Sequence, residues 1–299
     1  MHVRTVLNNF GPVFLSRGVV QVSSYIDQMI ATFIGAEAVS ALSYGQFLAI
    51  LPVSLFSMSI SAAELPELSS AVGAQEQVAA QLRKRLSAGL RRIAFFIVPC
   101  AVAFLVVGDV IVAALYQGGR FHYQDTVYVW SVLAGSSVGL LATSLGRLYS
   151  SVFYALHDTR TPLRFAVIRV TLTTVLGLIC AFPAPRWLGI EPRWGVAGLT
   201  LSAGIAGWVE FALLRRSLAK RIGPAPLSIA FSLKLWTVSF IAALLGYAIK
   251  ASLGVRHPLP LATVVIVLYC VVYFSGTAVL GVPEVRSVFK RVRRQFGFG

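Results

Sequence analysis

Residues 11–52 have the sequence GPVFLSRGVVQVSSYIDQMIATFIGAEAVSALSYGQFLAILP. They contain two apolar segments, each long enough to cross a bilayer as a helix, with a short polar turn at residues 35–40. The first segment carries Arg17 and Asp27. A carboxylate at the depth of Asp27 costs roughly 2.5–3.5 kcal/mol, so such residues usually face a protein interior or an aqueous cavity and are functional candidates. The stretch therefore predicts two membrane helices arranged around a polar site.

The rest of the chain has the same apolar character. Of its 299 residues, 57% are hydrophobic, and the mean hydropathy is +0.78. The apolar runs, each about 20 residues long, are continuous rather than alternating, which is typical of membrane helices and not of barrel strands. We therefore predict an all-α polytopic membrane protein with about eight transmembrane helices. The expected spans are residues 11–34, 39–62, 93–116, 126–149, 163–183, 194–214, 228–249 and 259–280.

Positive charge is distributed unevenly between the two sides of this predicted bundle. The net charge is +15, and most loop Lys and Arg residues fall on the side that holds the N-terminus when the spans alternate. This asymmetry follows the positive-inside rule and predicts that both termini are cytoplasmic. Because the basic residues flank apolar segments, the charge indicates a membrane protein and argues against a nucleic-acid partner.

The reactive residue types form no catalytic or metal-binding pattern. The three cysteines lie in three different apolar runs, and the four histidines lie in loops or at the terminus. Neither group has the spacing of metal ligands. The sequence also lacks a phosphate-cradling G-x-x-x-x-G-K-[ST] loop and a G-x-S-x-G elbow. We therefore predict a protein that is not an enzyme, with no catalytic residues, no metal ligands and no cofactor.

Asp27 is the membrane charge that most needs a partner. It lies ten residues beyond Arg17, about 15 Å along a helix and on a different face, so the two cannot pair directly. Its partner would be a cation, a proton, or one of the polar side chains Ser23, Ser24, Tyr44 and Ser202; a protonated structural Asp is the alternative. Arg169 is expected to snorkel to the interface, and Asp109 and Glu210 are expected to be interfacial.

Other segments between and within the spans also carry local signals. Residues 63–92 include a basic helical stretch, which would either lie along the membrane surface or extend the next span. The tail at residues 284–299 is expected to bind the anionic headgroups of membrane lipids. Pro52 and Pro99 indicate kinks, and the glycines at 195–207 allow either helix movement or static close packing.

Three stretches resemble the MviN/MurJ family, the bacterial flippases of the lipid-linked peptidoglycan precursor lipid II. Residues 19–69, from VVQVSSYIDQ to AAELPELS, resemble the start of the family's second lobe. YQGGRFHYQDT resembles its external loop in Gly119, Phe121, Asp125 and Thr126. FYALHDTRTPLRFAV resembles its cytoplasmic loop in Asp158, Thr159, Thr161 and Pro162. The resemblance runs from about residue 10 to residue 225 and continues to the end as hydropathy.

This resemblance implies an architecture of fourteen helices, in two six-helix lobes and one additional pair. Residues 1–225 would be the C-terminal lobe, 226–283 the additional pair and 284–299 a basic cytoplasmic tail. The chain would then be an N-terminally truncated or half-length flippase in the bacterial inner membrane. It would move a lipid-linked anionic glycan precursor by alternating access, together with the missing N-terminal lobe or a partner subunit.

The resemblance also implies which residues contact the substrate. Many members carry a cavity arginine in the second span, but alignment on Tyr44 and Pro52 places Phe47 there. A phenylalanine cannot donate charge-assisted hydrogen bonds to a diphosphate. The substrate-binding candidates in this chain are therefore Arg17, Tyr44 and Phe47.

A second implied site is a cation site that some members have in this lobe. Asp27 matches its carboxylate and is the candidate for Na⁺ or proton coupling. Thr173 and Gly177 stand at the partner positions on the fifth helix, which leaves a thin ligand set for a hard cation.

Because of these departures, two alternatives to a lipid II flippase stay open. One is a membrane scaffold of cell-envelope synthesis that no longer transports. The other is an exporter of another polyprenyl-linked glycan. A membrane transferase is a more distant possibility.

Overall fold

The computed structural model describes residues 18, 21–69, 75–225, 227–253 and 257–286. These ranges are almost entirely helical, and the only β contact within them is an isolated bridge between Gly118 and Phe121. The first helix, α1, comprises residues 21–34. The others are α2 Ala36–Pro52, α3 Ser59–Ser69, α4 Gln75–Val106, α5 Gly108–Tyr116, α6 Tyr123–Ala155, α7 Arg160–Ala181, α8 Pro183–Leu188, α9 Gly195–Ile222, α10 Ile229–Leu253 and α11 Pro258–Val279.

Seven helical segments of the described chain are long and apolar enough to cross a membrane. They are Ala36–Glu64, Glu76–Val106, Tyr123–Ala155, Arg160–Leu188, Pro192–Ile222, Ile229–Ser252 and Pro258–Val279. These segments correspond to the second to eighth predicted spans, so the prediction of an all-α polytopic membrane protein is confirmed. The first predicted span, 11–34, lies partly outside the described residues, and its part at 21–34 is helical.

We refer to the two ends of the bundle by their loops. The His157 end carries the loop between α6 and α7, and the Gly119 end carries the loop between α5 and α6. Helices α1, α4, α7 and α10 run from the His157 end to the Gly119 end. Helices α2, α6, α9 and α11 run in the opposite direction.

The third span differs from its prediction at its beginning. Helix α4 starts at Gln75, far before residue 93, and continues unbroken to Val106. Leu82, Leu86 and Leu90 of its first part are fully buried in the core, one helical turn apart. The basic stretch within residues 63–92 is therefore an extension of the span, and the alternative of a helix lying flat on the membrane is wrong.

The same span also breaks before its predicted end at residue 116. Val107 leaves the helical conformation, and a separate helix, α5, follows it. The break is stabilised by Trp130 of α6, whose indole Nε1 donates a hydrogen bond to the Phe104 carbonyl at 3.0 Å. Gly108 makes room for this ring, because a Cβ there would lie 2.7 Å from Trp130 Cδ1. The prediction of one continuous helix over 93–116 is therefore wrong, since Trp130 stabilises a break that no local signal marks.

An irregular segment lies where Pro52 predicts a kink. The residues after Pro52, Val53–Met58, form a π-helix that joins α2 to α3. A proline cannot donate the backbone hydrogen bond of a helix, so Pro52 interrupts the helical ladder immediately before this segment. Within the segment, the buried hydroxyl of Ser57 donates to the Ser144 carbonyl on α6 at 3.2 Å.

Helices α6 and α9 approach each other closely along a line of small residues. A Cβ on Gly139 would lie 2.5 Å from the Cα of Gly204, and a Cβ on Gly135 would lie 2.7 Å from the Ala197 carbonyl. The Thr200 hydroxyl donates to the Val132 carbonyl across the same interface at 3.0 Å. Small residues with an interhelical hydrogen bond are typical of membrane helix packing. The static-packing explanation of the 195–207 glycines therefore holds for Gly204.

The C-terminal pair, α10 and α11, is attached to α4 through two tyrosines. Pro99 lies inside α4 and has no amide hydrogen, so the Phe95 carbonyl four residues earlier loses its usual partner. The Tyr273 hydroxyl of α11 donates to this carbonyl at 2.6 Å. One turn away, the Tyr269 hydroxyl donates to the Pro99 carbonyl at 2.7 Å. Both rings are buried.

Ion pairs add to this attachment at both ends of the bundle. At the His157 end, Arg91 Nε of α4 donates to Glu284 Oε1 at 2.7 Å, and its guanidinium stacks over Phe231 of α10. At the Gly119 end, Lys250 of α10 pairs with Asp109 of α5, which is 6% exposed. A lysine from α10 therefore covers Asp109 within the bundle. The expectation that Asp109 is interfacial stays a prediction. Residues 287–299, most of the basic tail, lie outside the described residues.

Candidate functional site

Asp27 lies on the side of α1 that faces the bundle. It is 8% exposed, and its Oδ1 atom is buried without a hydrogen-bond partner. One turn further on, Ile30 reaches α7, where its Cδ1 lies 4.0 Å from the position of a Cβ on Gly177. Because Gly177 has no side chain, α1 can pack against α7 at this point. The carboxylate therefore enters the three-helix junction of α1, α7 and α9.

Thr173 and Ser202 complete the polar surface of this junction. Thr173 lies one turn before Gly177 on α7, and its hydroxyl is buried without a hydrogen-bond partner. Ser202 of α9 is fully buried, and its hydroxyl donates to the Leu199 carbonyl at 2.7 Å and to the Thr173 carbonyl at 3.4 Å. The junction therefore contains two buried oxygen atoms, one on Asp27 and one on Thr173, that lack a hydrogen bond.

Arg169 is the positive charge at this junction. Its Nη1 atom donates to Glu210 Oε2 of α9 at 3.1 Å, and both side chains are largely buried. Arg169 and Glu210 thus satisfy each other's charge inside the bundle. Their expected positions near the membrane interface stay predictions. Opposite charges at similar depths in the fifth and sixth spans were the sequence signal for this pair.

The donors at the junction do not fit a dedicated metal site. Hard cations take about six to eight oxygen ligands, usually including several carboxylates. Asp27 and Thr173 offer only one carboxylate and one hydroxyl that lack hydrogen bonds. Among the described residues, no three His, Cys, Asp or Glu side chains come close enough to share a metal ion.

Tyr44 and Phe47, two of the three substrate-binding candidates, lie elsewhere. They occupy one face of α2 and are 43% and 60% exposed. The Tyr44 ring packs against Tyr116 at 4.8 Å and against Phe121 at 6.2 Å between centroids. The structure thus places Tyr44 and Phe47 on an open face of the bundle and Asp27 in the three-helix junction. Arg17, the third candidate, lies outside the described residues.

The loop at the Gly119 end forms a compact turn, which explains the glycine and the aspartate of its YQGGRFHYQDT motif. Gly118 and Phe121 exchange backbone hydrogen bonds, and Gly119 between them has a φ of 58°, a left-handed conformation that favours glycine. Asp125 Oδ2 then accepts a hydrogen bond from the His122 amide at 2.7 Å and closes the start of α6. The turn holds the Phe121 ring against Tyr44.

The loop at the His157 end is organised by Asp158. Its Oδ1 accepts hydrogen bonds from the amides of Arg160 and Thr161, which begin α7, at 3.1 and 3.0 Å. Its Oδ2 accepts from the Thr161 hydroxyl at 2.6 Å and from the Arg221 guanidinium at the end of α9. Burial alone would raise the pKa of the Asp158 carboxyl. The hydrogen bonds from Thr161 and the charge of Arg221 outweigh burial and hold the pKa below its usual value.

We expect Asp158→Asn to destabilise the chain at neutral pH and to have little effect in acid. A carboxylate with a lowered folded-state pKa contributes stability above its unfolded pKa of about 4, and that contribution is lost as the pH falls. Asparagine can keep the cap through its Oδ1, but its amide nitrogen cannot accept from the Thr161 hydroxyl, which costs about 1 kcal/mol, and losing the partly exposed pair with Arg221 adds roughly 0.2–1 kcal/mol. Thermal unfolding of both proteins between pH 7 and about pH 3 measures the difference. A difference that stays constant over this range contradicts the assignment.

The described helices define a polytopic membrane protein with a buried ion-pair junction among three of its helices. A model of the family "Lipid II flippase MurJ" matches residues 1–270. The chain belongs to this family. The resemblance found in the sequence motifs is therefore confirmed.

Individual relatives agree with this assignment. The chain is similar to the probable lipid II flippase MurJ of Bdellovibrio bacteriovorus, with 25% identity over 98% of this chain and 54% of the relative. The lipid II flippase MurJ of Burkholderia cenocepacia is 28% identical over 92% of this chain and 52% of the relative. A solved structure titled "Lipid II flippase MurJ, inward closed conformation" shares the fold, with a TM-score of 0.75, 22% identity and coverage of 93% of this chain and 55% of that one. The chain thus spans about half the length of these relatives.

Proposed function

We propose that this chain forms the C-terminal half of a flippase that moves lipid II across the bacterial inner membrane by alternating access. The observation that carries the proposal is the family match over residues 1–270, since the relatives bear the name lipid II flippase. The helical fold supports it as well, because transporters of this kind move one helical bundle against another. In this proposal the chain is a transporter and not an enzyme.

The proposal includes an arrangement in the membrane. Residues 1–225 form the lobe, 226–283 the additional helix pair and 284–299 the tail, with both termini in the cytoplasm. The His157 end then faces the cytoplasm, which agrees with the basic residues of the α4 extension and of the end of α9. An N-terminal lobe or a partner subunit completes the transporter.

The open face of α2 is the side that we assign to the lipid-linked anionic glycan precursor. Tyr44 and Phe47 lie on it and offer aromatic surface, which can pack against a sugar ring or an isoprenoid chain. Positive charge for the diphosphate would come from Arg17 and from the other lobe, because Phe47 carries none.

The function can be tested with labelled lipid II in vesicles. The chain is reconstituted alone and together with the N-terminal lobe of the Burkholderia cenocepacia relative, after their association has been established by co-purification. We expect translocation only when both lobes are present. An associated pair that binds lipid II but does not move it contradicts the proposal.

Two alternatives give different results in this experiment. A non-transporting scaffold is favoured by the uncharged Phe47 on the open face, and it would associate with partners without translocating lipid. An exporter of another polyprenyl-linked glycan would translocate that lipid, and lipid II would not compete with it.

We assign ion coupling to Asp27, with a proton favoured over Na⁺ because the donor set is thin. Replacing Asp27 by Asn should abolish any dependence of transport on pH or on Na⁺, since asparagine neither releases a proton nor supplies a charge. Translocation rates of the two-lobe assembly are measured across pH and at constant ionic strength with and without Na⁺. If the wild type depends on an ion and Asp27→Asn shows the same dependence, coupling does not occur at Asp27.

A further inference from the structure

Three charged side chains from three helices lie in and beside the junction described above. Asp27 comes from α1, Arg169 from α7 and Glu210 from α9. Arg169 donates a hydrogen bond to Glu210 at 3.1 Å, while Asp27 Oδ1 lacks a partner. An unpaired charge in a membrane interior is costly, so the two carboxylates need compensation. A guanidinium has five N–H donors, and its bond to Glu210 uses one of them.

The heights of these three residues along their helices are compatible with one shared cluster. Ile30 on α1 and Ser202 on α9 both lie beside Gly177 of α7, which fixes the relative height of the three helices. With a rise of 1.5 Å per residue, Asp27 lies about 5 Å from that level towards the His157 end. Arg169 lies eight residues before Gly177 on α7, and Glu210 lies eight residues after Ser202 on α9. Both are therefore about 12 Å from the height of Gly177, also towards the His157 end. The heights of Arg169 and Asp27 therefore differ by about 7 Å, which the long side chain of arginine can span.

We propose that Arg169 is a built-in counter-ion for both Asp27 and Glu210 and takes the place that a bound metal ion would have at this junction. Three observations support this role: the bond from Arg169 to Glu210, the height of Arg169 about 7 Å from that of Asp27, and a donor set too small for a hard cation. Arg169 acts through the two carboxylates and is thus a positioning residue. The inference rests on the proposed function only in treating Asp27 as the coupling carboxylate.

The role predicts how stability responds to salt and to charge. Purified chain in lipid nanodiscs is unfolded thermally at one ionic strength, with Na⁺, K⁺ or choline as the only added cation. The wild-type melting temperature should be the same in all three salts, because the counter-ion is part of the chain. A saturable stabilisation by Na⁺ that disappears in Asp27→Asn overturns the proposal, and this comparison does not depend on any Arg169 variant.

Substitutions of Arg169 test the charge itself. Arg169→Gln leaves two carboxylates without their cation and should lower the melting temperature by about 10 °C. Na⁺ should restore part of this loss and choline none. The double variant Asp27→Asn/Arg169→Gln has the wild-type net charge at the junction and should be more stable than Arg169→Gln alone. Arg169→Lys should retain most of the stability, because lysine keeps the charge.

Arg164→Gln is the matched control, because Arg164 is an exposed arginine earlier on the same helix. It should leave the melting temperature and its salt response unchanged. An Arg169→Gln protein that behaves like this control overturns the proposal, and so does a double variant that is less stable than Arg169→Gln. If the chain fails the lipid II test but its stability responds to salt and charge as expected, the proposed function is wrong and the counter-ion role of Arg169 still holds.

Discussion

Replacing Gly139 by alanine should strongly destabilise the chain, although alanine is the better helix former by about 1 kcal/mol. The added Cβ would lie 2.5 Å from the Cα of Gly204, and a Cβ on Gly204 would lie 2.9 Å from the Gly139 amide nitrogen. Both neighbours are backbone atoms, which cannot rotate away, so α6 and α9 would have to separate. Overpacking of this kind costs about 1–3 kcal/mol even where side chains can adjust.

Gly146→Ala on the same helix is the matched control for this prediction. Its added Cβ would meet only Leu214 Cδ1 at 3.8 Å, an ordinary van der Waals contact. We expect Gly146→Ala to unfold at or above the wild-type temperature and Gly139→Ala to unfold at least about 5 °C below it. Thermal unfolding in detergent or nanodiscs distinguishes the two. Equal melting temperatures for the two variants contradict the close approach of α6 and α9.

The second large effect is expected at the contact between α11 and α4. Tyr273→Phe removes the hydroxyl that donates to the Phe95 carbonyl. Because Pro99 cannot supply the usual amide, this buried carbonyl would have no partner, which costs about 1–3 kcal/mol. In a Pro99→Ala background the new amide can bond to Phe95 within α4. Tyr273→Phe should therefore cost clearly less there than in the wild-type background.

Unfolding free energies of the four proteins in this double-mutant cycle measure the coupling, which we expect to be about 1 kcal/mol. Tyr269→Phe is the control, because its hydroxyl donates to the Pro99 carbonyl, which is not the group that proline deprives of a partner. Its cost should be similar with proline or alanine at position 99. A Tyr273→Phe cost that does not change with residue 99 rejects this explanation.

Most of the helices could be predicted from the sequence because a membrane span depends on local composition. A run of apolar residues must satisfy its backbone within itself, so its length alone indicates a helix. The seven spanning helices in the described part of the chain therefore agree with their predictions in existence and order. The start of α4 at Gln75 was harder to predict, since its amphipathic first part fits a surface helix as well as an extension.

The break at Val107 depends on information that lies elsewhere in the chain. Val107 is an ordinary helix-compatible residue in an apolar run, and the group that stabilises the break is Trp130, on the next helix. The pairing of Asp109 with Lys250 has the same origin, because the partner belongs to a helix that begins 120 residues later. Such features follow from tertiary packing and not from local propensity.

The candidate site was predictable in part. The depth of Asp27 within an apolar segment singled it out, and the structure places it in a buried junction. Arg169 and Glu210 also stand out as charges in apolar segments, but the sequence does not link them to each other. Their pairing requires α7 and α9 to be neighbours with opposite directions, which short apolar segments alone do not specify. Whether Tyr44 and Phe47 contact a substrate stays a prediction.

The bond between Tyr273 and Phe95 also has a consequence for biogenesis. The carbonyl that Pro99 leaves unpaired is made early, and the hydroxyl that satisfies it follows 178 residues later in the chain. Until α11 is inserted, the Phe95 carbonyl of α4 therefore has no hydrogen-bond partner, because lipid offers none. The last spanning helix of the described residues thus supplies a hydrogen bond that an earlier one needs, and a ribosome that stops before residue 273 releases a bundle in which the Phe95 carbonyl of α4 stays unpaired.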